Sequence, residues 1–240
     1  MTGTTAEPLH LDWPDCRNAR DLGGTPTAHG DTIRTGALVR TDGHARLDER
    51  GIRAVHEYGV GRIIDLRREQ EIESEPSPFA GSELYRNVSL HPLDGSIQPS
   101  ETLIELYTHM LDGRPDRFVQ ALVEIATAPP GAVVVHCFAG QDRTGVLVGL
   151  ALHLVGVDQE VIAADYAVTE TRLRRTYDEL LAQARPQDRE RNLRFYRTPP
   201  EAMHATFDHL HTRYGGPSRY LERAGLRAEH VDALQSRLLA

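Results

Sequence analysis

The sequence predicts an α/β fold: a central, mostly parallel sheet flanked by helices, with a helical C-terminal half. Three observations predict it. Short runs of Val, Ile and Leu alternate with segments of helical periodicity as far as Gly156. The run AVVVH (132–136) follows a Pro-Pro-Gly break and is at once succeeded by a glycine-bearing loop and a helical pattern. From Asp158 onward the signal is nearly all helical.

Residues 1–15 are expected to form an N-terminal arm ahead of one domain, 16–240. GALVRTD (36–42) and VGRIIDLR (60–67) read as strands. Between them, 47–59 places Leu47, Ile52, Val55 and Tyr58 near helical spacing. LYRNVSL (84–90) is a further strand. Helices are expected over 101–111 and 116–128, the second stopped by Pro129 and Pro130. AVVVH is a buried strand, and 143–156 is the helix that follows it. The C-terminal half offers helices at 158–183, 185–200, 201–216 and 228–239, and its stretch 170–200 is a candidate lid.

The 240 residues carry 40% hydrophobic and 26% charged side chains, an ordinary globular mixture. A net charge of −8 argues against general nucleic-acid binding, though not against a local anion pocket. Two cysteines make no disulfide framework and suit a reducing cytoplasm. The first residues lack a basic segment followed by an apolar one, so no secretory signal is expected. The longest apolar run, Val146 to Val157, is too short for a bilayer, and no membrane partner is expected. Oligomeric state is not legible.

The chemistry is concentrated in HCFAGQDRTG (136–145). A strand, a tight glycine-bearing loop and a helix together make an anion cradle, because loop amides and the helix N-terminus point at one spot. Cys137 opens the loop and Arg143 closes it, and the planar guanidinium can grip two oxygens of a tetrahedral anion. The field that attracts phosphate also favours a thiolate. Cys137 is therefore the expected nucleophile and Arg143 the clamp. Phe138, Ala139, Gly140, Gln141, Thr144 and Gly145 are expected to line the bound phosphate, with the Thr144 hydroxyl bonded to the sulfur. This chemistry needs no metal or other cofactor, and no metal-ligand spacing is seen; His209 and His211 read as a surface pair.

HCFAGQDRTG resembles the signature of cysteine-based phosphatases and, more closely, the HCxAGKDRTG loop of the bacterial atypical protein-tyrosine phosphatase family. NARDLGG (18–24), LVRTD (38–42), IIDLRREQE (63–71), DYAVTE (165–170) and RYGGPSRYLERAGL (213–226) are similar to that family's other motifs, in order. The resemblance implies four or five parallel strands ringed by helices, and hydrolysis of phosphotyrosine, with dual specificity open. A phosphatase of phosphorylated small molecules and a phosphate-binding module that has lost turnover remain the rivals.

Ester cleavage needs an acid for the leaving oxygen. Other tyrosine phosphatases draw it from a Trp-Pro-Asp loop, and WPD occurs here at 13–15, but it lies just ahead of NARDLGG, so Asp15 is set aside. The resemblance points to Asp142, and Asp65 at a strand end is the alternative, as acid or as a salt-bridge partner. Arg20 and Asp21 read as a supporting ion pair, and Cys16 as a small packed residue. The chain departs from the family pattern twice. Gln141 replaces a lysine associated with activity on multiply phosphorylated inositides, and is expected to leave a neutral amide at the pocket mouth. Glu170 replaces an asparagine, with no evident reason in the sequence.

Overall fold

A computed structural model describes residues 9–91 and 102–240. Its six strands are β1 (Leu9–His10), β2 (Arg20–Asp21), β3 (Leu38–Thr41), β4 (Val60–Asp65), β5 (Tyr85–Asn87) and β6 (Ala132–His136). They lie in the order β1-β2-β3-β6-β4-β5. β3, β6, β4 and β5 run parallel, while β1 and β2 add an antiparallel edge. The expected sheet is present. The edge strands are two residues each, too short for any periodicity to show.

Every residue of β6 is buried, as befits a β-branched strand with neighbours on both sides and helices on both faces. Successive residues of the parallel strands face opposite ways. Leu38, Ile64, Val133 and Val135 join the larger core, under the helices of the C-terminal half. Val39, Ile63, Ala132 and Val134 join a smaller one with Leu47, Val55 and Phe79. Leu11 and Trp13 are buried in that smaller core, so the segment read as an arm is packed from residue 11.

The helices among the described residues are α1 (Glu49–Glu57), α2 (Glu69–Ser74), α3 (Leu103–Gly113), α4 (Pro115–Ala126), α5 (Asp142–Leu154), α6 (Gln159–Gln183), α7 (Pro186–Phe195), α8 (Pro200–Tyr214), α9 (Pro217–Arg223) and α10 (Ala228–Leu238). Local chemistry sets several ends. Asp48 accepts from the amides of Arg50 and Gly51 to start α1. Thr102 and Glu105 form a capping box at α3. Residue 101, within the predicted helix, lies outside the described residues, as do 1–8 of the expected arm. The unpredicted α2 is six residues, with no buried face to betray it. No helix among the described residues is long and apolar enough to cross a membrane.

This topology positions the site. β6 sits between β3 and β4, and its C-terminal end delivers Cys137 to the crevice beyond the strand ends. α5 starts five residues later and aims its N-terminus back at that crevice.

Candidate active site

The loop from Cys137 to Gln141 is turned with its carbonyls toward the protein. His136 Nδ1 donates to the Cys137 carbonyl at 3.0 Å, since a carbonyl can only accept. The Gly43 amide donates to Phe138 O at 2.8 Å. Asn18 Nδ2 reaches Ala139 O at 3.0 Å, and Arg40 Nη2 reaches Gly140 O at 2.8 Å. The amides of Phe138, Ala139, Gly140 and Gln141 make no hydrogen bond among the described residues. Outward carbonyls and unspent amides are the arrangement of an anion nest. Gly140 has φ +68°, and a Cβ there would lie 2.2 Å from Thr41 O, so only glycine lets the loop pass the end of β3.

A buried charge network holds these props. Asp165 of α6 takes Arg20 Nε at 2.7 Å and Arg40 Nη1 at 2.5 Å. Burial would raise its pKa, but the two guanidiniums hold it below the usual carboxylate range. Burial and the neighbouring Arg40 lower the pKa of Arg20 to about 10. Arg20 Nη1 also donates to Asn18 Oδ1 at 2.6 Å, orienting the amide that holds Ala139. The expected Arg20–Asp21 pair does not form, because adjacent strand residues face opposite ways. Asp21 instead accepts from the amides of Gly23 and Gly36 and from the Tyr58 hydroxyl.

Arg143, largely buried, is gripped by Glu71 of α2, with Nη1 to Oε2 at 2.7 Å and Nη2 to Oε1 at 2.8 Å. Burial opposes the Arg143 charge, but Glu71 and the neighbouring Cys137 outweigh it and raise its pKa. Against burial, the same bonds drop Glu71 to about 2. A bidentate carboxylate fixes the guanidinium and leaves Nε free for an anion. Cys137 is 2% exposed, at the end of β6. Its charge would favour the Arg143 guanidinium, which closes the loop that Cys137 opens.

The two candidate acids differ sharply. Asp142, at the first turn of α5, accepts from Tyr107 Oη at 2.6 Å, and Tyr107 in turn meets Tyr166 Oη at 2.6 Å. Burial raises the Asp142 pKa. Asp65 is fully buried, with Arg67 Nη2 at 2.7 Å, Tyr85 Oη at 2.8 Å and His136 Nε2 at 3.7 Å. Burial opposes its ionisation, yet His136 and Arg67 hold its pKa down. Those contacts fall on Oδ2, and Oδ1 accepts from Arg67 N and Nε at 3.0 Å, so the salt-bridge alternative is the one the geometry fits.

Three further expectations need correction or placement. Thr144 Oγ1 is buried without a hydrogen-bond partner among the described residues, so the expected bond to sulfur is not made here. Gln141 is not at the mouth: its side chain is 2% exposed and bonds to Tyr177 and to the carbonyls of Phe195 and Arg197. A buried amide must satisfy both its donors and its acceptor, and here α6 and the segment from Phe195 to Arg197 supply the partners. Gly145 lies under the Tyr166 ring, 2.9 Å from the position of a Cβ, and allows α5 and α6 to approach.

Asp15 is exposed, at φ 60°, on the rim of a cleft shared with Phe138 and Ala139, while Trp13 fills the core. Cys16 donates to Asp42 Oδ1 at 3.0 Å, and burial pushes its pKa well up. Neither cysteine is in a disulfide. His209 pairs with Asp112 at 2.8 Å and His211 with Gln159 at 3.3 Å, so the two rings serve different partners.

Glu71, Tyr107, Asn18, Arg40 and Asp165 were not singled out from the sequence. Four of them stand inside the motif segments noted above. Tyr107 had no local signal, because only the packing of α3 against α5 brings it to Asp142.

Residues 11–240 match the tyrosine phosphatase family. The chain is similar to a tyrosine-protein phosphatase of Nostoc commune, 31% identical over 229 residues that cover 89% of this chain and 78% of that protein. It is also similar to the triple specificity protein phosphatase PtpB of Mycobacterium tuberculosis, 29% identical over 189 residues, covering 64% of this chain and 66% of that protein. With the sheet, the loop and its props in place, the chain belongs to the tyrosine phosphatase family and is a phosphatase.

Proposed function

We propose that this phosphatase hydrolyses phosphomonoesters through a phosphocysteine, with phosphotyrosine in proteins as its substrate class. The observation that carries the reading is the nest: consecutive loop carbonyls tied outward, amides unspent, and Arg143 fixed by Glu71 beside Cys137. Cys137 Sγ attacks phosphorus as the ester bond breaks, and Asp142 gives its proton to the leaving oxygen. Water then attacks the phosphocysteine while Asp142 takes a proton, the P–S bond breaks, and phosphate leaves with the thiolate restored. The amides from Phe138 to Arg143 and the Arg143 guanidinium hold the equatorial oxygens, whose charge grows in the transition state.

A raised pKa suits Asp142 to the acid's role, because it must carry a proton near neutral pH. Asp65 is assigned to positioning Arg67 and His136. The unpartnered Thr144 hydroxyl is available to the departing thiolate. The stretch 170–200 acts as a cover on a single domain. Phe138, nearly half exposed beside the wider depression on the Glu71 side, offers an aromatic ester a ring to pack against.

The test is para-nitrophenyl phosphate hydrolysis. Activity that survives a metal chelator and disappears in Cys137→Ser supports the reading. No turnover from mildly acidic to neutral pH would favour a binding module, and preference for nucleotide or sugar phosphates over phosphotyrosine peptides would favour the small-molecule rival.

A further inference from the structure

The two departures from the family's motifs, Gln141 and Glu170, meet on one short segment. Gln141 Nε2 donates to the carbonyls of Phe195 at 2.9 Å and Arg197 at 3.1 Å, and its Oε1 accepts from the Tyr177 hydroxyl. Glu170 takes the next groups along. Its Oε2 accepts from the Thr198 amide at 3.0 Å, and its Oε1 faces the Arg197 guanidinium at 3.2 Å. The Glu170 amide donates to Thr198 Oγ1 at 3.0 Å. Tyr196, between these anchors, stacks flat on Tyr177, with ring centroids 4.5 Å apart and planes 2° apart. Each residue from Phe195 to Thr198 is thus held from the loop or from α6.

α6 is anchored through buried Leu173 and Tyr177, whereas α7 is held weakly. α7 buries none of its residues. Its position depends on its ends, and the C-terminal end is the segment that Gln141 and Glu170 grip. The residue types are matched to the task. A buried glutamine offers two donors and an acceptor, and all three find partners; a lysine could not accept from Tyr177. Glutamate presents two acceptor oxygens to an amide and a guanidinium at once.

The cover lines one side of the loop. Cys137 is 2% exposed, and Phe138, nearly half exposed, divides two depressions. The one under Tyr177, lined also by Arg17, Arg46, Leu173 and Leu180, is about 60 Å³, room for about two waters. The other, on the Glu71 side, is about 310 Å³. Cys137 lines neither depression, so an ester must reach past Phe138 to touch the buried sulfur. A larger cleft of about 780 Å³ lies between α2 and the start of α4 and includes none of the loop residues.

We propose that Gln141 and Glu170 are positioning residues that latch the Phe195–Thr198 segment and Tyr177 onto the phosphate loop, and that the latch selects phosphate carried on a long, slim group over phosphate on a short side chain or a bulky ring. Phosphotyrosine has the reach; phosphoserine and inositol phosphates do not. This rests on Cys137 being the nucleophile.

Two measurements test it. The first is the rate at which iodoacetamide alkylates Cys137, located by mass spectrometry, which reads the cover without turnover. The second is the ratio of kcat/KM for phosphoserine peptide and inositol phosphate to that for phosphotyrosine peptide. Glu170→Ala, Gln141→Ala and Tyr177→Phe are each expected to raise both the alkylation rate and the ratio about fivefold, the weight of one lost hydrogen bond. Glu170→Gln, which keeps an acceptor for Thr198, is expected to restore most of the wild-type values. Glu170→Ala should leave para-nitrophenyl phosphate hydrolysis within about twofold of wild type. Unchanged alkylation in folded variants would overturn the latch, and faster alkylation with an unchanged ratio would overturn its role in selection. Thermal melting identifies any variant that fails to fold, and the remaining two then carry the test. A Cys137→Ser variant that retained turnover would overturn the nucleophile assignment instead, leaving the alkylation result to stand for the cover alone.

Discussion

Tyr107 donates to Asp142 Oδ1 at 2.6 Å while itself meeting Tyr166, and the proposed mechanism gives the other oxygen to the leaving group. Burial raises the Asp142 pKa and the Tyr107 bond lowers it, and burial prevails. Removing the hydroxyl deletes a bond that favours the charged form, so the pKa must climb further. As the proposed acid, Asp142 works while protonated, so activity is expected to be lost as pH rises through its pKa. Tyr107→Phe should therefore move the basic limb of the kcat profile to higher pH, by about one unit for one charge-assisted hydrogen bond. A phenolic leaving group of high pKa gives the profile its steepest dependence on the acid. An unmoved limb would take Tyr107 out of the proton chemistry and leave it as packing.

At the scale of elements, the loop is shaped by strands and a helix far from it in sequence. β2 and β3 supply Arg20 and Arg40, and α6 supplies the carboxylate between them. Asp165 is nearly buried and neutralises two guanidiniums that are themselves fully buried. Asp165→Asn would leave both charges without a counter-ion in a poorly solvated place. The expected cost is about 3–5 kcal/mol, measurable by urea denaturation at neutral pH. Because Arg40 also holds Gly140 O, activity should fall even where the variant remains folded. A loss below about 1 kcal/mol would mean that water reaches the triad and the network matters little.

Across the whole molecule, what could be read in advance was what is local in sequence. AVVVH, the loop and the helix after it are consecutive, so strand, cradle and nucleophile were legible together. The parallel sheet followed from alternation alone. The antiparallel edge did not, because two-residue strands have no period to detect. Partners set by register were also hidden. Nothing near Arg143 in sequence names Glu71 as its carboxylate, 72 positions away. Asp65 could be placed at a strand end, but only the groups around it show both oxygens taken, Oδ1 by Arg67 N and Nε and Oδ2 by Arg67 Nη2 and Tyr85 Oη. Gln141 misled for the same reason: its loop position was plain, while its direction was decided by the carbonyls of Phe195 and Arg197, more than fifty positions away.

The phosphoenzyme gives the most direct test of the central claim that Cys137 and Arg143 share a nest built for one phosphoryl group. Asp142→Asn, slow to activate water, should accumulate the intermediate when mixed with a reactive aryl phosphate and quenched. Mass spectrometry is predicted to find the phosphoryl group on Cys137, absent in Cys137→Ser. A phosphoryl group on another residue, or hydrolysis by Cys137→Ser at the wild-type rate, would contradict it.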